Sequence, residues 1–293
     1  MPVNKLCSIL LIAFAALALT AAEKKPWKDA SISVGDIRVH YIEAGTGDHS
    51  LVFIPGWTMT AEVWKEQIPY FASRNFRVIA MDPRGQGQTT KTEQGNTYFQ
   101  HAADLVAFLK ALKLDRQQTT LVGWSAAVDT LLDYISSPET GQPEHLVFVD
   151  GFPMMRKETD YPSGTTVQQA RTMALGFEED RSKAADRFVR GMFKTAQSEL
   201  LYKELADASM KTPTNTALAL FFDLFTGDRR LALSHIAAPT LIVVAGENRT
   251  LGEYMQSKIG GSRLEVVADA GHALFLEKPQ AFNQILEDFL AKY

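Results

Sequence analysis

Cysteine is almost missing from this chain. Of 293 residues only Cys7 carries a thiol, and it precedes an apolar run at the extreme N-terminus. Residues 23–293 therefore have no means of forming a disulfide, and their stability has to come from a buried core. Charge of one sign is also lacking. Thirty basic residues stand against 34 acidic ones, for a net charge of −4, with no basic block. That balance excludes the electrostatic footprint of a nucleic-acid binder and favours solubility. The six histidines include no His-Glu-x-x-His or comparable ligand spacing, so neither a metal nor another cofactor is expected. No internal repeat and no low-complexity tract is present. The one long apolar stretch, Leu6 to Leu19, is too short for a comfortable membrane span.

That stretch has the layout of an export leader. Lys5 supplies a positive start, Thr20-Ala21-Ala22 a small-residue cleavage site, and Glu23-Lys24-Lys25 a charged flank. Residues 1–22 are therefore expected to be a signal peptide cut near Ala22, which places the protein in a secreted or periplasmic setting with no membrane span after cleavage. An uncleaved anchor is the alternative. No lipobox-like residues precede Cys7. The remaining length suits one large domain, and a hydrophobic fraction of 46% is that of an ordinary globular protein. Nothing in the sequence fixes an oligomeric state.

Strand and helix patterns alternate along the chain. Ile37 to Ile42 alternates apolar and polar residues as an outer strand does. Leu51–Ile54, Phe76–Met81, Thr119–Val122, Leu146–Val149, Thr240–Val244 and Leu264–Val267 are short apolar runs suited to strands covered on both faces. His101–Leu114 reads as an amphipathic helix burying Leu105, Phe108, Leu109 and Leu112, and a final helix starts at Pro279. Such alternation implies an α/β fold, a mostly parallel central sheet with helices on both faces. From Gly151 to Ala238 the alternation gives way to helical patterns rich in Phe, Met and Leu. Residues 23–150 and 239–293 are thus expected to form the core, and 151–238 a helical cap over the carboxyl edge of the sheet.

The segment Leu121-Val122-Gly123-Trp124-Ser125-Ala126-Ala127 carries the most chemistry. A buried strand stops at Gly123, and a helix with Val128, Leu131, Leu132 and Ile135 on one face begins at once. A serine in the turn between them projects its hydroxyl, beside backbone N–H groups at a helix start where negative charge would develop. The elbow brings strand and helix so close that small neighbours are required. Ser125 needs a base. His272, in Ala268-Asp269-Ala270-Gly271-His272-Ala273, follows the last strand and reaches the same sheet edge, so it is the candidate. His40, His49, His101, His145 and His235 read as structural, as does Asp129 on the elbow helix.

Together these signposts resemble the cap-bearing α/β-hydrolases, over roughly residues 30–293. Ile54-Pro55-Gly56-Trp57 is similar to that family's oxyanion loop, with Pro55 in place of its common histidine. Asp82-Pro83-Arg84-Gly85-Gln86-Gly87 is similar to its Asp-x-Arg-Gly-x-Gly loop; a nucleotide-binding fingerprint fails because no third glycine follows at the required spacing. The elbow ends in Ala127 rather than glycine. The resemblance implies that the backbone N–H groups of Trp57 and Ala126 form an oxyanion hole and that Trp57 and Trp124 wall the substrate pocket, simple packing being the alternative for Trp124. It also implies an aspartate three residues beyond Gly246, yet Arg249 stands there, and an arginine cannot orient an imidazole. Asp150, ending the strand after the elbow helix, is favoured as the acid, because some cap-bearing members place theirs at that strand end. Glu247 is the other candidate.

The function so implied is a serine hydrolase of small-molecule carboxylic esters or lactones, with Ser125 as nucleophile and His272 as base. The apolar cap hints at an apolar acyl or alcohol group. Dehalogenation and epoxide hydrolysis are excluded, since the resembling enzymes use an aspartate at position 125. Carbon–carbon or amide hydrolysis and a cofactor-free haloperoxidase-like side activity use the same residues and stay open. So does an inactive relative that binds without turnover.

Overall fold

A computed structural model of the chain describes residues 25–137, 140–161 and 163–293; the leader-like segment 1–22 lies outside them. The sheet has eight strands: β1 (Lys28–Val34), β2 (Ile37–Ala44), β3 (Ser50–Ile54), β4 (Arg77–Met81), β5 (Thr119–Trp124), β6 (His145–Val149), β7 (Thr240–Ala245) and β8 (Arg263–Val267). Their spatial order is β1-β2-β4-β3-β5-β6-β7-β8. The β1–β2 hairpin and the β2–β4 pair are antiparallel, and every other pair is parallel. Every residue of β3, β5, β6 and β7 is buried, as strands covered on both faces must be.

The helices between strands are α1 (Gln67–Ala72), α2 (Tyr98–Ala111) and α3 (Ala127–Ser136). After β6 come α4 (Val167–Glu179), α5 (Arg181–Arg190), α6 (Glu199–Met210) and α7 (Thr214–Thr226), and after β7 come α8 (Arg249–Lys258), α9 (Leu274–Glu277) and α10 (Pro279–Leu290). On one face of the sheet α2, α3 and α8 bury Leu105, Phe108, Leu131, Leu132 and Met255. On the other, α1 and α10 bury Ile68, Phe71, Phe282, Leu286 and Phe289 around Trp64, whose ring stacks 4.1 Å from Phe275. Burying each such side chain stabilises the fold by about 1.5–3 kcal/mol.

Helices α4 to α7 pack on one another above the carboxyl edge, where Phe177, Leu220 and Phe221 gather over Trp57. Four elements fall outside the sequence expectation. Strand β1 is an edge strand with one buried residue, and α1, α8 and α9 are helices too short to show a clear apolar period. Helix α2 starts at Tyr98 rather than His101, because the Thr97 side chain accepts the Gln100 N–H and caps it there. Among the described residues no helix is long and apolar enough to cross a membrane.

Register places the site. Trp124 at the end of β5 pairs with Val149 at the end of β6, so the next residues, Ser125 and Asp150, leave the sheet side by side. Ala245 pairs with Val267, which brings the loops after β7 and β8 to the same edge.

Candidate active site

Ser125 sits in the left-handed region at φ +56°, a conformation costing a non-glycine residue about 1–2 kcal/mol. Two bonds hold it there: its N–H donates to the Val149 carbonyl at 2.9 Å, and its own carbonyl accepts the Val128 N–H at 2.9 Å. The turn tolerates only small neighbours. A Cβ on Gly123 would lie 2.8 Å from Leu131 Cδ1, and one on Gly151 would lie 2.3 Å from the Ser125 carbonyl oxygen. Ser125 is thus presented by a strained elbow held in place by these hydrogen bonds and by close packing.

His272 lies between β8 and α9 with Nε2 2.9 Å from Ser125 Oγ. Its Nδ1 is 2.7 Å from Asp150 Oδ2. The Asp150 side chain is fully buried, and its backbone is also left-handed, at φ +43°. Oδ1 accepts the Ala245 N–H at 2.8 Å, and Oδ2 also accepts the Asn248 side-chain amide at 2.9 Å. A buried carboxylate needs such partners, and Asp150 has three.

The histidine loop is tied to the segment between α5 and α6. Glu277 accepts the N–H groups of Gly271 at 2.8 Å, Lys194 at 3.0 Å and Thr195 at 2.8 Å, and the Thr195 hydroxyl at 2.6 Å. Burial pushes its carboxyl up, but these hydrogen bonds together outweigh burial and hold it below the ordinary glutamate value. The Ala273 N–H donates to the Met192 carbonyl at 2.8 Å, and a Cβ on Gly271 would fall 2.6 Å from the Lys194 nitrogen.

Trp57 and Ala126 flank Ser125, and neither backbone N–H has an acceptor among the described residues. The neighbouring Thr58 is left-handed at φ +60°, and its N–H donates to Gln86 Oε1 at 2.5 Å. The Asp82–Gly87 motif thereby earns a structural meaning. Gln86 fixes the loop carrying Trp57, while Asp82 accepts the N–H groups of Ala61 and Gln88, each at 2.7 Å. Arg84 clamps Asp36 and Asp104 beneath it.

A cavity of about 200 Å³ opens beside Ser125, lined by Trp57, Ala126, Asp150 and His272 and by residues of the cap. A second, of about 600 Å³ between α4 and α5, shares Met173, Phe188 and His272 with it. Trp57 walls the first as expected; its indole N–H donates to the Ala217 carbonyl at 2.8 Å. Trp124 corrects the expectation that it would line the pocket. It is 1% exposed and absent from both linings, because it is the last residue of β5 and turns into the layer beneath. There it packs 4.9 Å from Phe275 and donates its indole N–H to the His272 carbonyl at 3.0 Å.

The other acid candidate, Glu247, is exposed and sits on the rim of the larger cavity, outside the hydrogen bonds of His272. Arg249 faces solvent and lies 3.9 Å from Glu253. One residue that sequence reasoning missed is Asn248, which lies next to the position where an acid was sought and donates to Asp150 instead. Only its place beside Glu247 hinted at it.

Among the described residues, His49, Glu144 and His145 bring potential ligand atoms within 4.8 Å of one another. They lie at the amino ends of β3 and β6, the opposite edge from Ser125. Thr120 Oγ1 bridges the two rings, 2.9 Å from His49 Nε2 and 3.1 Å from His145 Nδ1. Burial pushes His145 down to about 4, with His49 adding to the effect.

Residues 51–285 match the sequence profile of the alpha/beta hydrolase family. A pimeloyl-[acyl-carrier protein] methyl ester esterase from Neisseria meningitidis is 26% identical over 243 residues, 81% of this chain and 75% of that protein. The crystal structure of a bromoperoxidase from Bacillus anthracis superposes with a TM-score of 0.84 at 27% identity, covering 90% of this chain and all of that one. An esterase from Exiguobacterium antarcticum superposes with a TM-score of 0.85 at 23% identity over the same shares, a likeness of fold.

Proposed function

The chain belongs to the alpha/beta hydrolase family, and on that premise we propose that it is a serine hydrolase of carboxylic esters, lactones included, acting through an acyl-enzyme on Ser125. The observation that carries the reading is the relay from Ser125 Oγ to His272 Nε2 at 2.9 Å and from His272 Nδ1 to Asp150 at 2.7 Å, beside a cavity.

As Ser125 Oγ attacks the ester carbonyl, His272 Nε2 takes its proton. Asp150 keeps the imidazole in the tautomer with hydrogen on Nδ1 and stabilises the cation that forms. Charge on the carbonyl oxygen is met by the free N–H groups of Trp57 and Ala126, each worth about 3 kcal/mol to the transition state. The intermediate collapses, His272 returns the proton to the leaving alcohol, and the acyl group stays on Ser125. A water molecule, deprotonated by the same imidazole, then repeats the sequence and releases the acid.

Esterase relatives support ester over amide chemistry, and the leader-like composition of residues 1–22 supports export. Labelling with a fluorophosphonate probe and turnover of p-nitrophenyl esters of graded acyl length test the activity. Wild type is expected to show both, and Ser125→Ala neither. A wild type without an adduct would instead be a binding protein on a hydrolase fold. N-terminal sequencing of the exported protein, expected to begin near Glu23, tests the leader.

A further inference from the structure

The cavity beside Ser125 is walled mostly by apolar side chains, among them Trp57, Phe152, Met154, Phe221 and Leu224. Apart from Ser125, His272 and Asp150, one wall residue breaks that pattern. Asp129, four residues beyond Ser125 on α3, lines the same cavity and is 1% exposed. Its Oδ1 accepts a hydrogen bond from Arg229 at 2.8 Å. Its Oδ2 has no hydrogen-bond partner among the described residues. An unpaired buried carboxylate oxygen is costly, and such a group in a ligand cavity is explained by a ligand that supplies the missing donor.

The charge balance points the same way. Arg229 is shared by Asp129, Asp133 and Asp223 at 2.8, 2.9 and 3.0 Å, and no other cation is paired with these three among the described residues. Asp133 and Asp223 keep contact with solvent, with side chains 16% and 26% exposed, so water absorbs part of their charge. Asp129 has no such outlet. Burial pushes it up to about 7 against the pull of Arg229, while Asp133 and Asp223 push it further. Asp129 is therefore the acid of this cluster least able to hold its charge unaided, and it shares the cavity with Ser125, where a donor on a ligand would stabilise its ionised form.

We propose that Asp129 is a specificity-determining residue: its free oxygen accepts a hydrogen bond from the substrate, and the favoured esters carry a donor, ammonium or hydroxyl, on the group seated beside Ser125. Asp129 and Ser125 line one cavity of about 200 Å³, which puts the donor close to the scissile carbonyl. An ester lacking the donor leaves Oδ2 unpaired in the complex, and a site built around a buried polar group discriminates against such an analogue. The assignment rests on the serine-hydrolase reading.

The test compares kcat/KM for methyl esters of butyric acid and of its α-hydroxy and α-amino analogues, which share size and differ in the donor. Wild type is expected to favour at least one donor-bearing ester by about tenfold or more, the value of one hydrogen bond to a charged group. The α-amino and α-hydroxy arms tell ammonium from hydroxyl. In Asp129→Asn the ratio of donor-bearing to plain ester is expected to fall toward one. A wild type that cleaves all three esters equally overturns the role of Asp129, even if the variant does not fold. So does an Asp129→Asn variant that loses all three in proportion, as a structural residue would. A wild type that cleaves none and takes no fluorophosphonate adduct overturns the hydrolase reading and this inference together.

Discussion

Asp150→Asn removes one charge and almost no volume, which makes it the sharpest probe of the relay. The carboxylate accepts three hydrogen bonds, from Ala245, Asn248 and His272. Asparagine offers one carbonyl oxygen. If that oxygen keeps the Ala245 N–H, the amide nitrogen faces His272 Nδ1 and the Asn248 amide, a donor set against donors. His272 relieves the clash by moving its proton from Nδ1 to Nε2. Nε2 then presents a hydrogen to Ser125 Oγ instead of a lone pair, and the base is lost in the dominant tautomer. The expected fall in kcat is about 10³–10⁴, or ~4–5.5 kcal/mol at 1.36 kcal/mol per tenfold. Initial rates on a short p-nitrophenyl ester measure it, with circular dichroism to verify folding. Glu247→Gln, at an exposed residue outside these hydrogen bonds, should stay within about twofold of wild type. An Asp150→Asn variant within tenfold of wild type, beside a Glu247→Gln variant reduced by orders of magnitude, would refute the reasoning and move the acid to Glu247.

Gly151→Ala should cost about 1–3 kcal/mol of stability and at least tenfold in kcat, because the new methyl meets the Ser125 carbonyl at 2.3 Å and Val128 Cγ2 at 2.4 Å; urea unfolding and ester turnover read the two effects. Gln86→Ala frees the Thr58 N–H and slackens the loop carrying the Trp57 donor, so kcat should drop about tenfold with KM little changed, and equal losses in both would disprove it. Burial holds His101 and His145 down at about 4, so the native state keeps both neutral while the unfolded chain protonates below pH 6.5. Stability from these residues is complete above pH 6.5 and is lost as pH falls toward 4. Urea midpoints at pH 7 and pH 5 should differ more in wild type than in His145→Gln.

What the sequence disclosed follows from how locally each feature is encoded. The apolar runs at Leu51–Ile54 and Thr240–Val244 could be read as central strands because burial on both faces leaves no polar position to blur them. Strand β1, Lys-Asp-Ala-Ser-Ile-Ser-Val, hides because its partner is a hairpin neighbour and its faces are mostly wet. Ser125 and His272 were legible because each follows an apolar run at an element boundary, and parallel strands deliver such boundaries to one edge. Trp124 misled because an aromatic beside the serine looks like pocket wall, whereas a strand's last residue points away from the turn that follows it. Asn248 and the Arg229 cluster were invisible for another reason. Their partners, Asp150 and Asp129, are about a hundred positions away, and no local pattern records a bond across that distance.

The strap between Glu277 and the Lys194–Thr195 backbone has a mechanical consequence. The loop carrying the imidazole is tied through Glu277 to the corner between α5 and α6, so lifting that corner would pull on the loop as well.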